Sequence, residues 1–305
     1  MMPSINRKNT IIAYIKLVTA VAIWGGSFIA TKIAVREVSP VTVVWLRFLI
    51  GIIILGYFAW KHTELVLPER KDVLELVWLG FLGITLHQWL QSSGLVTSEA
   101  STTAWLVSTS PVFMALLGWI FLKEELSWRT ISGFLLATIG VLFVVTKGDL
   151  QSIFNGGFGT SGDILILISA PNWALFSVLS RPILKRFSAI KVTFYVLLFG
   201  WLLTSIQFLA GQYWIEISQL STGGWASIAF LGVFCSAVAY IFYNDGLQSL
   251  PATKVGAFLY LEPLVATAVA AAVLSESIVL ASLVGGGLIL LGVWIVNHDF
   301  ETQPE

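Results

Sequence analysis

The chain has 305 residues, 17 Lys+Arg against 17 Asp+Glu, 57% hydrophobic and 11% charged residues, and a mean hydropathy of +0.87. Soluble domains carry roughly 25% charged residues, so this composition excludes a soluble globular protein and marks a polytopic membrane protein. Zero net charge excludes a nucleic-acid-binding face, and the single cysteine, Cys235, excludes intrachain disulfides and Cys-based metal sites.

Apolar runs of about 20 residues, the length that crosses a bilayer, fall near 14–34, 41–60, 73–94, 100–122, 129–146, 162–180, 190–210, 225–247, 252–274 and 279–297. The first begins like a signal peptide, with Arg7 and Lys8 before an apolar stretch and a small-residue triplet at Ala20–Ala22. The apolar run continues through "IWGGSFIA", so it reads as an uncleaved first span. The longest connection, "KGDLQSIFNGGFGTSGD", is Gly-rich and polar and joins spans five and six.

That linker, 148–161, separates similar halves, 13–147 and 162–297. At an offset of 152 residues Gly80 meets Gly232, Gly94 meets Gly246, Pro111 meets Pro263, Glu124 meets Glu276 and Gly140 meets Gly292. At an offset of 149, Trp24 meets Trp173, Ser39 meets Ser188 and Gly51 meets Gly200. A duplicated unit of five spans, an odd number, places its second copy upside down. The expected fold is therefore all-α and integral to the membrane: ten transmembrane helices forming two inverted five-helix repeats around a central cavity. With the N-terminus in the cytoplasm, thirteen Lys and Arg fall inside and three outside. The positive-inside rule then places both termini in the cytoplasm.

Ionisable groups inside a span are costly and face a cavity or a partner. Three stand out: Arg47, roughly 10 Å below the outer surface, His87, roughly 9 Å below it, and Glu262, roughly 15 Å from the inner surface. Three readings are open for Arg47 and Glu262: a structural ion pair or carbonyl cap, direct substrate contact, and proton or gating coupling. Glu262 faces Ser110 in the other repeat and Arg47 faces Val196, so neither charge is part of the shared frame. Pro111, Pro171 and Pro263 are expected to kink spans four, six and nine, because proline removes a backbone donor and crowds the carbonyl four residues earlier.

Helical spacing puts Gly80, Gly83, His87, Gln91 and Gly94 on one side of span three. Trp24, Ser27 and Thr31 share a face of span one, and Trp105 and Ser108 share one of span four. With Asn172, Trp173, Tyr243 and Tyr260 these aromatic and polar groups suit either the wall of a solute cavity or core packing. The small-residue strips Gly133–Ala137–Gly140 and Gly285–Ile289–Gly292 suit scaffold helices or a homodimer contact through spans five and ten. "GFGTSG" at 157–162 matches G-x-G-x-x-G, but lacks the strand and βαβ unit that a dinucleotide site needs. No nucleophile–base set, metal-ligand spacing or phosphate loop appears in the sequence, so neither metal nor cofactor is expected.

Four stretches carry a family resemblance: "AIWGGSFIATK", "VVWLRFLIG", "TSPVFMALLGWIFLKEELSWRTISGFLLATIGV" and "LYLEPLVATAVAAAVLSESI". In these the chain resembles the EamA-type branch of the drug/metabolite transporter superfamily, over about residues 13–297. Span six departs from it, with "PNWALFSVLSRP" in place of "IWGGSFIATK". The resemblance implies ten helices with cytoplasmic termini in the bacterial inner membrane. It also implies a cavity lined by spans one, three, four, six, eight and nine, and export of small metabolites. Trp24, Arg47, Pro111, Glu262 and Pro263 match its motifs. The expected function is a secondary exporter of amino acids or related compounds by alternating access, coupled to protons or working by exchange. The alternatives are efflux of hydrophobic organic cations and a non-transport membrane enzyme.

Overall fold

The computed structural model describes residues 7–61, 68–122, 128–151, 159–250, 255–256 and 258–302. It is all-helical among these residues: α1 (Arg7–Ala34), α2 (Pro40–Lys61), α3 (Arg70–Thr97), α4 (Ala100–Val107), α5 (Ser110–Leu122), α6 (Trp128–Val145), α7 (Ser161–Leu184), α8 (Ala189–Ala210), α9 (Thr222–Ser249), α10 (Glu262–Leu274) and α11 (Leu280–Thr302). Six of them, α1, α2, α3, α7, α8 and α9, are long and apolar enough to cross a bilayer. A broken span, α4 with α5, and the shorter apolar helices α6, α10 and α11 complete an arrangement that fits ten crossings.

The packing repeats itself across the two halves. α1 packs on α9 and α10, as α7 packs on α3 and on α4 with α5; α2 packs on α8, and α6 on α11. Matched glycines make the same contacts in both halves. A Cβ on Gly94 would meet Ile166 at 2.6 Å, and one on Gly246 would meet Leu17 at 2.5 Å. Gly80 abuts the carbonyl of Val196, and Gly232 that of Arg47. A pseudo-two-fold axis therefore relates the repeats.

The glycine strips of α6 and α11 face each other inside the chain. A Cβ on Gly140 would lie 2.5 Å from the carbonyl oxygen of Gly285, and one on Gly292 would lie 2.5 Å from that of Gly133. These helices touch backbone to backbone, which is how small residues let membrane helices associate.

Two pairs of matched irregularities were not legible in the helical periodicity. α3 turns π-helical over Phe81–Leu86, and α9 does so over Leu231–Ala239. Wide π turns insert a residue and rotate everything after them. Hence Gly80 faces α8 while Gly83 and Gly94 face α7, and the expected single face of span three is split. The freed carbonyls find side-chain donors: Asn172 Nδ2 donates to Leu82 at 2.8 Å, and Trp24 Nε1 to Cys235 at 3.2 Å.

The second pair is the breaks in spans four and nine, at Ser108–Thr109 and at a 3-10 turn, Leu259–Leu261. Each lies just before a proline. Pro111 leaves the carbonyl of Val107 without its helical donor, and the Ser110 hydroxyl donates to it at 2.7 Å. Pro263 does the same to Leu259, where the tightened turn supplies the backbone N–H of Glu262 instead. Backbone thus serves the second break, and the Glu262 side chain is left free of that task. Pro171 and Pro182 lie inside α7, which continues as helix through both.

Candidate functional site

Arg47, His87 and Glu262 are each 3% exposed and all line one internal cavity between the repeats. Trp24 and Ser27 from α1, Gln91 from α3 and Trp173 from α7 complete the sequence-expected part of its wall. Phe28, Gln88, Val107, Tyr240 and Leu259 line it as well. The space left for water is about 30 Å³, room for one or two molecules. No metabolite of amino-acid size fits this space as it stands.

The helices are joined by different contacts at the two ends. At the α1–α9 end Lys16 pairs with Asp245, and Leu17 fills the notch at Gly246. At the α3–α7 end Ser98 donates to Asp163 at 2.5 Å, and Ile166 fills the notch at Gly94. Lys32 Nζ caps the end of α3, donating to the carbonyls of Leu95 and Ser98 at 2.7 Å each. Glu276 caps the start of α4, accepting from the backbone N–H groups of Ala100 and Ser101. Its repeat mate Glu124 lies outside the described residues.

Arg47 and Glu262 do not pair. Arg47 Nε donates to Ser236 Oγ at 3.1 Å and Nη1 to Gln88 Oε1 at 2.9 Å, and its guanidinium lies 5.0 Å from the Phe48 ring. Among the described residues it forms no ion pair. The Glu262 carboxyl likewise has no ion pair there, and faces the cavity. His87 packs at a tilt against Trp173 with ring centroids 4.8 Å apart, and keeps Nδ1 buried without a partner. A buried charge or acceptor without a partner costs several kcal/mol at most sites. Around this one cavity Arg47 and Glu262 are without an ion pair among the described residues, and His87 Nδ1 is without a hydrogen-bond partner.

Trp24 and Trp173, repeat mates, meet edge to face at 5.5 Å, and Tyr240 and Tyr243 close the same aromatic cluster. Tyr243 sits behind the wall, bonded to Ser177 at 3.0 Å, and Asn172 is spent on the Leu82 carbonyl. Trp105 points elsewhere, into the space left by the absent side chain of Gly286 on α11. The side chains of Tyr260 and Pro111 lie outside those described.

Sequence reasoning missed Gln88 and Tyr240. They are repeat mates 152 residues apart, and they touch: Gln88 Nε2 donates to Tyr240 Oη at 3.2 Å, and Tyr240 Oη donates to the Gly83 carbonyl at 3.3 Å. Gln88 is three residues before Gln91 on the regular α-helical stretch His87–Thr97, so His87, Gln88 and Gln91 share one arc of α3 facing the cavity. The usable signal was the repeat itself, because mates on the pseudo-two-fold axis must lie side by side.

The model of the EamA-like transporter family matches residues 11–146 and again 160–298. The chain belongs to the EamA-like transporter family. Its membrane-spanning helices and two repeats are those of an integral membrane transporter. It is 28% identical over 285 residues to an uncharacterized transporter of Archaeoglobus fulgidus, covering 93% of this chain and 96% of that one. It is likewise 28% identical over 285 residues to the uncharacterized transporter YyaM of Bacillus subtilis, covering 92% of each. A probable terminal-alkyne amino-acid exporter of Streptantibioticus cattleyicolor is 25% identical over 284 residues, 92% of each chain. One solved structure superposes on 97% of the transporter with a TM-score of 0.67 at 18% identity, a likeness of fold alone.

Proposed function

We propose that the transporter exports small zwitterionic metabolites, amino acids foremost, across the bacterial inner membrane by alternating access. The observation that carries this reading is the separation of Arg47 and Glu262: a buried guanidinium and a buried carboxyl face one aromatic-walled cavity without pairing with each other. A carboxylate suits the guanidinium through charge-assisted hydrogen bonds, and an ammonium suits Glu262 with the indoles of Trp24 and Trp173 beside it. The relative whose printed name is an amino-acid exporter supports the substrate class. Efflux of hydrophobic cations fits less well, because such a cargo leaves the Arg47 charge buried and unanswered. The positive-inside count supports cytoplasmic termini, which puts the Lys16–Asp245 pair on the inner side and the Ser98–Asp163 bond on the outer side.

The test is efflux from proteoliposomes loaded with the twenty common amino acids, read by mass spectrometry. Protein-dependent loss of a subset supports the reading; retention of all of them, with efflux of a hydrophobic cation such as tetraphenylphosphonium, contradicts it.

Glu262 is the group best placed to exchange a proton for the substrate ammonium, since no other described residue on the wall carries a carboxyl. Glu262→Gln is expected to leave the folded protein intact and to remove the acceleration of efflux by an imposed pH gradient. Efflux that still accelerates with the gradient, as in the wild type, rules that coupling out.

A further inference from the structure

From the bonding of Arg47 we infer that Gln88 sets the charge class of the transported solute, keeping the Arg47 guanidinium oriented by an amide that leaves its positive charge for the substrate. This deepens the zwitterion reading above and rests on it. Gln88 is buried, at 6% exposure, on the cavity wall. Its Oε1 takes the Nη1 donor of Arg47 at 2.9 Å, while its Nε2 is anchored to Tyr240 Oη at 3.2 Å, and Tyr240 in turn to the backbone carbonyl of Gly83 at 3.3 Å. Tyr240 is 1% exposed and wedged among Trp24, Phe48 and Trp173, so the anchor is rigid. The amide therefore has one orientation, oxygen toward Arg47, and the guanidinium is held at Nε and Nη1 by two neutral groups, Ser236 and Gln88.

Neutral partners matter here. A guanidinium held by a hydroxyl and an amide keeps its full charge, whereas a carboxylate at position 88 would satisfy it within the protein. Glutamate has nearly the shape of glutamine and reaches the same Nη1 atom. The change removes the positive end of the cavity and leaves Glu262 as its only unmet charge. A cavity of that kind prefers an amine without a carboxylate.

The experiment compares matched solutes that differ by the carboxylate alone: leucine with 3-methylbutylamine, and phenylalanine with 2-phenylethylamine, each in proteoliposome flux. Wild type is expected to favour the amino acid of each pair. Gln88→Glu is expected to lower amino-acid flux at least tenfold and to favour the amine. Gln88→Met, which removes the acceptor but adds no charge, is expected to lower amino-acid flux several-fold and to keep the wild-type preference. A Gln88→Glu protein that still prefers the amino acids, or a Gln88→Met protein that inverts the preference, overturns the role of Gln88. A wild type that moves none of the twenty common amino acids overturns the underlying zwitterion reading instead; where it moves others than these two, the pair is made from one of those and its decarboxylated amine. Equal thermal midpoints of the three proteins separate a change of preference from a loss of structure.

Discussion

Replacing Arg47 by glutamine is expected to cut amino-acid efflux at least about 30-fold while leaving the folded protein as abundant and as heat-stable as the wild type. The magnitude follows from the loss of a charge-assisted contact with the substrate carboxylate in a desolvated site, worth about 2–5 kcal/mol. The stability half of the prediction is the more discriminating. Arg47 makes no ion pair among the described residues, and its guanidinium is held by neutral Ser236 and Gln88. A neutral amide in its place removes a buried charge that nothing inside the protein compensates, so the fold loses little or gains. An arginine kept for structure would show the opposite pattern, with a clear fall in thermal midpoint and flux tracking the remaining folded protein. Arg47→Lys retains the charge but not the planar fork, and is expected to fall between wild type and Arg47→Gln in flux.

Gly140→Ala, like Gly292→Ala at the matched contact, is expected to give a large loss of stability in the α6–α11 pair. The added Cβ would sit 2.5 Å from the carbonyl oxygen of Gly285 and 2.7 Å from the backbone nitrogen of Ile289. Neither is a side-chain tip that can swing aside, so two whole helices must part. Overpacking of this kind costs about 1–3 kcal/mol, sometimes more. Gly287→Ala, on the same helix α11, is the control: nothing lies within 4 Å of its Cβ. The gain in helix propensity there, about 1 kcal/mol, is expected to leave the midpoint unchanged or higher. Equal midpoints for the two variants in detergent would mean that α6 and α11 do not pack as described.

Sequence alone went far here because the bilayer makes span lengths, charge asymmetry and internal duplication explicit. Arg47, Glu262, His87, Trp24 and Trp173 were legible as cavity residues since ionisable groups and paired indoles have few other uses at that depth. The prolines at 111 and 263 announced the matched breaks. What stayed hidden depends on backbone register. The π segments at Phe81–Leu86 and Leu231–Ala239 have no compositional mark, and across the first of them Gly80 leaves the face of Gly94. Trp105 was misleading for a related reason: its destination was set by a missing side chain on a distant helix, Gly286. The relation of Arg47 to Glu262 was also beyond the sequence, because depth in the membrane says nothing about which way around a helix a charge points.

The central claim is that substrate charge is read by Arg47 in an export cavity. The measurement that tests it most directly is untargeted mass spectrometry of the medium around cells expressing wild type or Arg47→Gln at matched membrane levels. Zwitterionic amino compounds enriched outside the wild-type cells and absent around the Arg47→Gln cells are the result this account predicts. Equal enrichment in both cultures, or enrichment of compounds that carry no carboxylate, would contradict it.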